Sequence, residues 1–164
     1  MAITKAKKVE IVKRLAEKIG GAKALAFVNF HGLSVANATA LRRSLRAEQV
    51  GLVVAKKTLL RRVLSAAGFG GEVPDLTGEI ALAYALDPLA PARGVYQFER
   101  AHKEAIKLVG GVHEGQYADA KLMLELALIP SREILLGKLA NILQSPIQRF
   151  AIALNEVAKL KANA

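Results

Sequence analysis

The chain has 164 residues, 52% of them hydrophobic, which suffices for one packed domain with an appendage and is too apolar for a disordered tail. It contains no cysteine, which excludes disulfides, thiolate metal sites and cysteine nucleophiles. No run approaches the roughly 18 apolar residues of a membrane span, and the basic start Met1 to Lys8 leads into the charged segment Glu10 to Lys18 rather than an apolar signal core, so a cytoplasmic protein without membrane contact is expected.

Taken in chain order, Thr4 is placed to cap a first helix with Val9, Val12, Leu15, Ala16 and Ile19 on one apolar face, ending at Gly20-Gly21. Ala24 to Phe30 is short and aromatic enough for a buried strand closed by His31-Gly32, with Phe27 and Phe30 as packing residues. Ser34 then caps a second helix to about Gln49, with Val35, Ala38, Leu41 and Leu45 inward and Arg42, Arg43 and Arg46 facing outward or flanking the stripe. Gly51 to Ala55 predicts a second strand and Thr58 to Ala67 a third helix, so Lys56 and Lys57 fall at a helix start, with Arg61 and Arg62 one turn further on. A helix start suits an anion through both side-chain charge and unpaired backbone N–H groups.

Gly68 to Gly78 reads as a loop, Glu79 to Leu86 as a strand, Pro91 as the opening of a helix to about His102, and Ala105 to Val109 as a strand with a short pairing segment after Gly111. Beyond this point the pattern is helical only. Asp119 caps a short helix to Leu128, Pro130-Ser131 restarts the chain, and Leu136, Leu139, Leu143, Ile147, Phe150, Leu154 and Val157 then recur at intervals of three and four. Pro146 is expected to kink or split that helix. The stripe has two readings, a helix folded back as core or one that offers its apolar side to partner helices. The order of elements predicts an α/β fold, a mixed sheet flanked by helices, with an extended C-terminal α-helical segment. Residues 1–118 form the globular domain, 119–130 a short helix and connector, and 131–164 the long helix.

The net charge of +10 is unevenly placed. Residues 1–62 carry 14 Lys or Arg against three acids, a net of +11, and the remainder of the chain nets −1. A field so concentrated attracts a polyanion, with counterion release adding to the binding free energy. The clusters Arg42, Arg43, Arg46 and Lys56, Lys57, Arg61, Arg62, with Lys5, Lys7 and Lys8 at the start, are the candidate RNA-binding residues, because guanidinium groups hold phosphates with paired hydrogen bonds. Few aromatics make base stacking a minor mode and point to the shape and backbone of folded RNA. No cofactor, metal or catalytic site is expected. His31, His102 and His113 lie far apart, the glycine pairs Gly20-Gly21, Gly70-Gly71 and Gly110-Gly111 form no phosphate loop and read as turns and helix ends, and Asp87, Glu99 and Glu104 have no catalytic spacing.

Several blocks carry a resemblance. Leu41-Arg42-Arg43-Ser44-Leu45-Arg46 and Val54-Ala55-Lys56-Lys57-Thr58-Leu59-Leu60-Arg61-Arg62 resemble the LRxxLR helix and the VVKNTLxRR signature of the bacterial large-subunit ribosomal protein ten family, with Lys57 in place of the usual asparagine. Thr77 to Tyr84, the pairs Gly110-Gly111 and Glu114-Gly115, Ile129 to Glu133 and Gln144 to Ile147 are similar to further blocks of that family in the same order. The resemblance implies a stalk-base scaffold rather than an enzyme. Its domain would bind 23S rRNA in the GTPase-associated region beside ribosomal protein eleven. Its C-terminal helix would carry dimers of the acidic protein seven/twelve, which recruit translational GTPases. With 17 residues after Ile147, two dimers are expected rather than three. The alternative is a basic nucleic-acid-binding regulator outside the ribosome, which has no use for a partner helix.

Overall fold

The computed structural model describes residues 5–71, 74–102 and 106–162, and the chain divides into two units, Met1–Ile129 and Pro130–Ala164. Thr4, Glu104 and Ala105, which figure in the expectations above, lie outside the described residues. In the first unit the order is α1 (Lys5–Gly20), β1 (Ala24–Phe30), α2 (Val35–Ala47), β2 (Gly51–Val54), α3 (Lys57–Ala67), β3 (Ile80–Ala85), α4 (Ala90–Ala101), β4 (Ile106–His113), β5 (Gln116–Asp119) and α5 (Ala120–Ala127). The second unit is α6 (Arg132–Ala162).

The five strands form one sheet in the order β2-β3-β1-β4-β5, and every ladder is antiparallel. The expected α/β fold with flanking helices and a long C-terminal helix is therefore present, but strand directions within the ladders are not mixed. The reason is interleaving. Helix α2 joins β1 to β2 and α4 joins β3 to β4, and each of these pairs runs parallel. In both pairs the two strands stand one position apart, and the gap is filled by a strand of opposite direction.

Alternation along the strands sorts the core into two layers. Leu25 and Phe27 of β1 and Ile80 and Leu82 of β3 pack with Leu15 and Ile19 of α1 and with Leu60, Val63 and Leu64 of α3. Ala26, Val28, Ala81, Ala83 and Ala85 face the other way, against Leu41 and Leu45 of α2, Ala92 and Val95 of α4, and Met123 and Ala127 of α5. Because both of their faces are covered, β1 and β3 read as continuous apolar runs rather than as alternating ones. The alanine-rich face lets its helices come close.

The structure revises several details. In α1, Val9 and Ala16 are exposed, while Ile11 and Val12 are half-buried beside Leu15 and Ile19. Val35, expected inward, is 84% exposed, because the first turn of α2 runs past the edge of the core. Asp119 is the N-cap of α5 but its side chain makes no cap hydrogen bond. Gly110-Gly111 is not a turn. Both residues lie inside β4, where a register shift opposite Phe27 and Val28 leaves one residue unpaired, and the turn falls at Glu114-Gly115.

Gly111 is required by packing. A Cβ there would lie 2.3 Å from the Leu25 carbonyl oxygen and 2.4 Å from the Met123 Cε, so its absence is what seats α5 on the sheet. At Gly137 in α6, by contrast, a Cβ would project into open space. Gly111→Ala is therefore expected to destabilise the domain by about 2–4 kcal/mol, whereas Gly137→Ala should raise helicity without loss of stability. Urea unfolding and circular dichroism of the two variants test this contrast.

Candidate nucleic-acid interface and exposed helix

Helices α1 and α3 pack side by side on one face of the sheet, and this brings most of the N-terminal cations together. Lys7 and Lys8 are exposed near the start of α1. Lys5 begins the helix, and its side chain lies outside the described residues. Arg14 is exposed and held by Glu10 at 2.7 Å, and the Lys18 ammonium stands 5.5 Å from the centre of the Tyr84 ring. At the start of α3, Lys56, Lys57, Arg61 and Arg62 are all exposed. Arg62 leans toward α1, at the edge of an otherwise apolar cavity of about 550 Å³ lined by Val12, Ala16, Ile19, Ala66 and Phe69.

The N-terminus of α3 is electrostatically frustrated. Its N-cap is Lys56, which makes no side-chain cap hydrogen bond, and the first turn contains no acidic residue. Cations at the positive end of a helix oppose the backbone dipole, at about 0.3–1 kcal/mol each. By contrast α2 starts conventionally, the Ser34 Oγ accepting from the Asn37 N–H at 3.2 Å. An anion at the start of α3 would relieve both the repulsion and the unpaired amides.

The second cluster is separated from the first. Arg42, Arg43 and Arg46 are exposed on α2, in the opposite layer. The two clusters approach each other only at one end of the sheet. There a hollow lined by Arg42 and another lined by Lys56 and Lys57 both include Phe30 and Val54. Sequence reasoning missed Arg14 and Lys18, which share a hollow of about 340 Å³ with Ile11, Leu15, Val53, Lys56 and Leu59. The signal was present in their spacing, since Lys7, Arg14 and Lys18 recur on one side of α1.

Two of the carboxylates set aside as catalytic candidates, Asp87 and Glu99, have local structural partners. Asp87 accepts from the Leu89 N–H at 3.2 Å, and Glu99 from the Leu108 N–H at 3.4 Å. The His102 ring packs edge-on against Phe98. Tyr117, which meets Phe69 edge to face, has its hydroxyl pKa raised by burial. Among the described residues no three His, Asp or Glu side chains gather into a metal-binding group, and no helix is long and apolar enough to cross a membrane.

Helix α6 runs unbroken from Arg132 to Ala162 with Pro146 inside it, so the proline does not split it into two helices. The flanking turns preserve helical geometry although Pro146 cannot donate to the Ile142 carbonyl. Leu136, Leu139, Leu143, Ile147, Phe150, Leu154 and Val157 are each between 52% and 72% exposed, and Leu135 and Ile142 flank them.

A cationic sheet domain joined to a helix with an exposed apolar stripe defines a protein with two chemically distinct surfaces. The family profile described as Ribosomal protein L10 matches residues 3–100, and that of the Ribosomal protein uL10 C-terminal region matches residues 129–164. Similar proteins include the Large ribosomal subunit protein uL10 of Shouchella clausii, 39% identical over 155 residues, covering 94% of this chain and 93% of the relative. The uL10 of Pelotomaculum thermopropionicum is 40% identical, covering 94% and 87%, and that of Acholeplasma laidlawii 38%, covering 94% and 96%. The chain belongs to the uL10 family of large ribosomal subunit proteins. It is a constituent of the cytoplasmic ribosome and not an enzyme.

The frustrated start of α3 has a measurable consequence. Lys56→Ser supplies the missing cap and removes one repelled charge, so the free protein should gain about 1 kcal/mol in chemical unfolding.

Proposed function

We propose that this protein is the base of the ribosomal stalk, binding 23S rRNA in the GTPase-associated region through its sheet domain and anchoring acidic stalk-protein dimers along its C-terminal helix. The observation that carries the reading is α6, where seven large apolar side chains on one stripe are all more than half exposed. Covering the rest of each is worth on the order of 1 kcal/mol. The stripe therefore offsets the entropy lost on association only when several members are covered together. The described α6 cations Arg132, Lys138, Arg149, Lys159 and Lys161 outnumber Glu133 and Glu156, which suits an acidic partner.

Pro146 divides the stripe into Leu136, Leu139 and Leu143 before it and Ile147, Phe150, Leu154 and Val157 after it. We assign one partner dimer to each part, two in all, with a kink at the proline accommodating them. The partners are dimers of the seven/twelve type, and through them translational GTPases are recruited indirectly. Residues 1–118 are assigned to RNA and 131–164 to the stalk helix; of the segment 119–130 expected as a connector, α5 instead packs Met123 and Ala127 into the core of the first unit, which leaves only the residues after it as the connection. Ribosomal protein eleven is the expected neighbour on the RNA.

On the sheet domain, the α1 and α3 cations Lys5, Lys7, Lys8, Lys56, Lys57, Arg61 and Arg62 form the principal phosphate-binding surface, joined at the Val54 end of the sheet by Arg42, Arg43 and Arg46. The uncapped start of α3 supports this assignment, because two lysines there cost stability in the free protein and gain it against an anion.

Two measurements test the reading. Replacing Arg61 and Arg62 with alanine should weaken binding to a fragment of the GTPase-associated RNA and flatten log K against log salt by about 0.7–0.9 per lost phosphate contact. An unchanged slope removes them from the interface. Phe150→Asp and Leu154→Asp should each cost the helix one of its two acidic stalk-protein dimers while the sheet domain keeps its unfolding midpoint. Loss of that midpoint would make the stripe part of the core.

A further inference from the structure

The sheet has two edges, and they are treated differently. Strand β5 is covered by the loop after α3. The Gly70 N–H donates to the Gly115 carbonyl at 3.0 Å, the Tyr117 N–H donates to the Gly70 carbonyl at 2.8 Å, and Gly70 bridges to Gln116. Strand β2 pairs with β3 on one side only. Among the described residues no backbone hydrogen bond reaches Gly51–Val54 from the other side.

Open edges invite added strands, and short or charged ones resist them. What distinguishes β2 from a merely protected edge is a hollow on each of its faces. Toward α1 lies the hollow of about 340 Å³, floored by Ile11, Leu15, Val53 and Leu59 and rimmed by Arg14, Lys18 and Lys56. Toward α2 lies a smaller one of about 70 Å³, floored by Val28, Leu41, Leu52 and Ala81 and closed by Arg42. Side chains of a strand added along β2 would alternate between these hollows. At the Gly51 end, the Tyr84 ring occupies the space where a Cβ would stand.

We infer that the β2 edge is a docking site for an extended acidic peptide that adds as a sixth strand, placing apolar side chains in the hollows and carboxylates against Arg14 and Lys18, the rim cations not assigned to RNA. Charge complementarity selects an acidic partner, and the unpaired backbone with its apolar floors favours a peptide over RNA, which has neither an amide ladder nor aliphatic side chains.

The test uses the full chain and a fluorescent peptide alternating valine with glutamate, with hydrogen exchange as a second readout. The peptide should bind in a salt-dependent manner and protect the amides of residues 51–54. N-methylation of the peptide amides along one edge should weaken binding by at least about tenfold, as should lysine in place of glutamate. Arg14→Ala with Lys18→Ala should also weaken it while leaving the fold intact. Equal binding of the N-methylated peptide would overturn the proposal by reducing it to charge capture. Absence of binding would overturn it outright. Protection of residues 51–54 by a short RNA duplex but not by the peptide would assign the edge to RNA instead.

Discussion

Strand β1 is buried on both faces, and this constraint organises the first unit. Leu25 and Phe27 require a helical layer on one side, and Ala26 and Val28 require another on the opposite side. Once α1 and α3 have committed their apolar faces to the first layer and α2, α4 and α5 theirs to the second, the remaining helix surface is where the lysines and arginines can stand in water. The exposure of Arg42, Arg43, Arg46, Lys56, Lys57, Arg61 and Arg62 follows from saturation of the core.

That division also explains why one basic third of the chain makes two surfaces instead of one. A cluster on α2 and a cluster on α3 must fall on opposite sides of the sheet, and only the sheet end around Phe30 and Val54 brings them near each other. The side carrying α1 and α3 is the more densely charged, and it is also where local stability is sacrificed, at an uncapped helix start occupied by two lysines. Local rules broken without a packing reason mark the positions where a ligand is expected to have shaped the sequence.

Much of this was legible in the sequence because helical and strand periodicities in this chain are strong. The order of elements, the outward position of the α2 arginines and the helix-start location of Lys56 and Lys57 all follow from local pattern. Strand pairing did not, since it depends on contacts distant in sequence: nothing local says that β3 inserts between β1 and β2. Gly110-Gly111 defied the local pattern for a related reason. A glycine pair signals a turn, but here Met123, more than ten residues further on, requires the missing Cβ inside a strand. Val35 and Val9 fit their helical stripes yet lie beyond the reach of the core, whose extent no periodicity reveals.

The central claim concerns α6, whose stripe has no buried member. Native mass spectrometry of the full chain mixed with the acidic stalk protein of the same organism tests it most directly. The account predicts a complex of one chain with four copies, reduced to one chain with two copies in the Phe150→Asp variant. A folded, RNA-binding chain that forms no complex at all would contradict it.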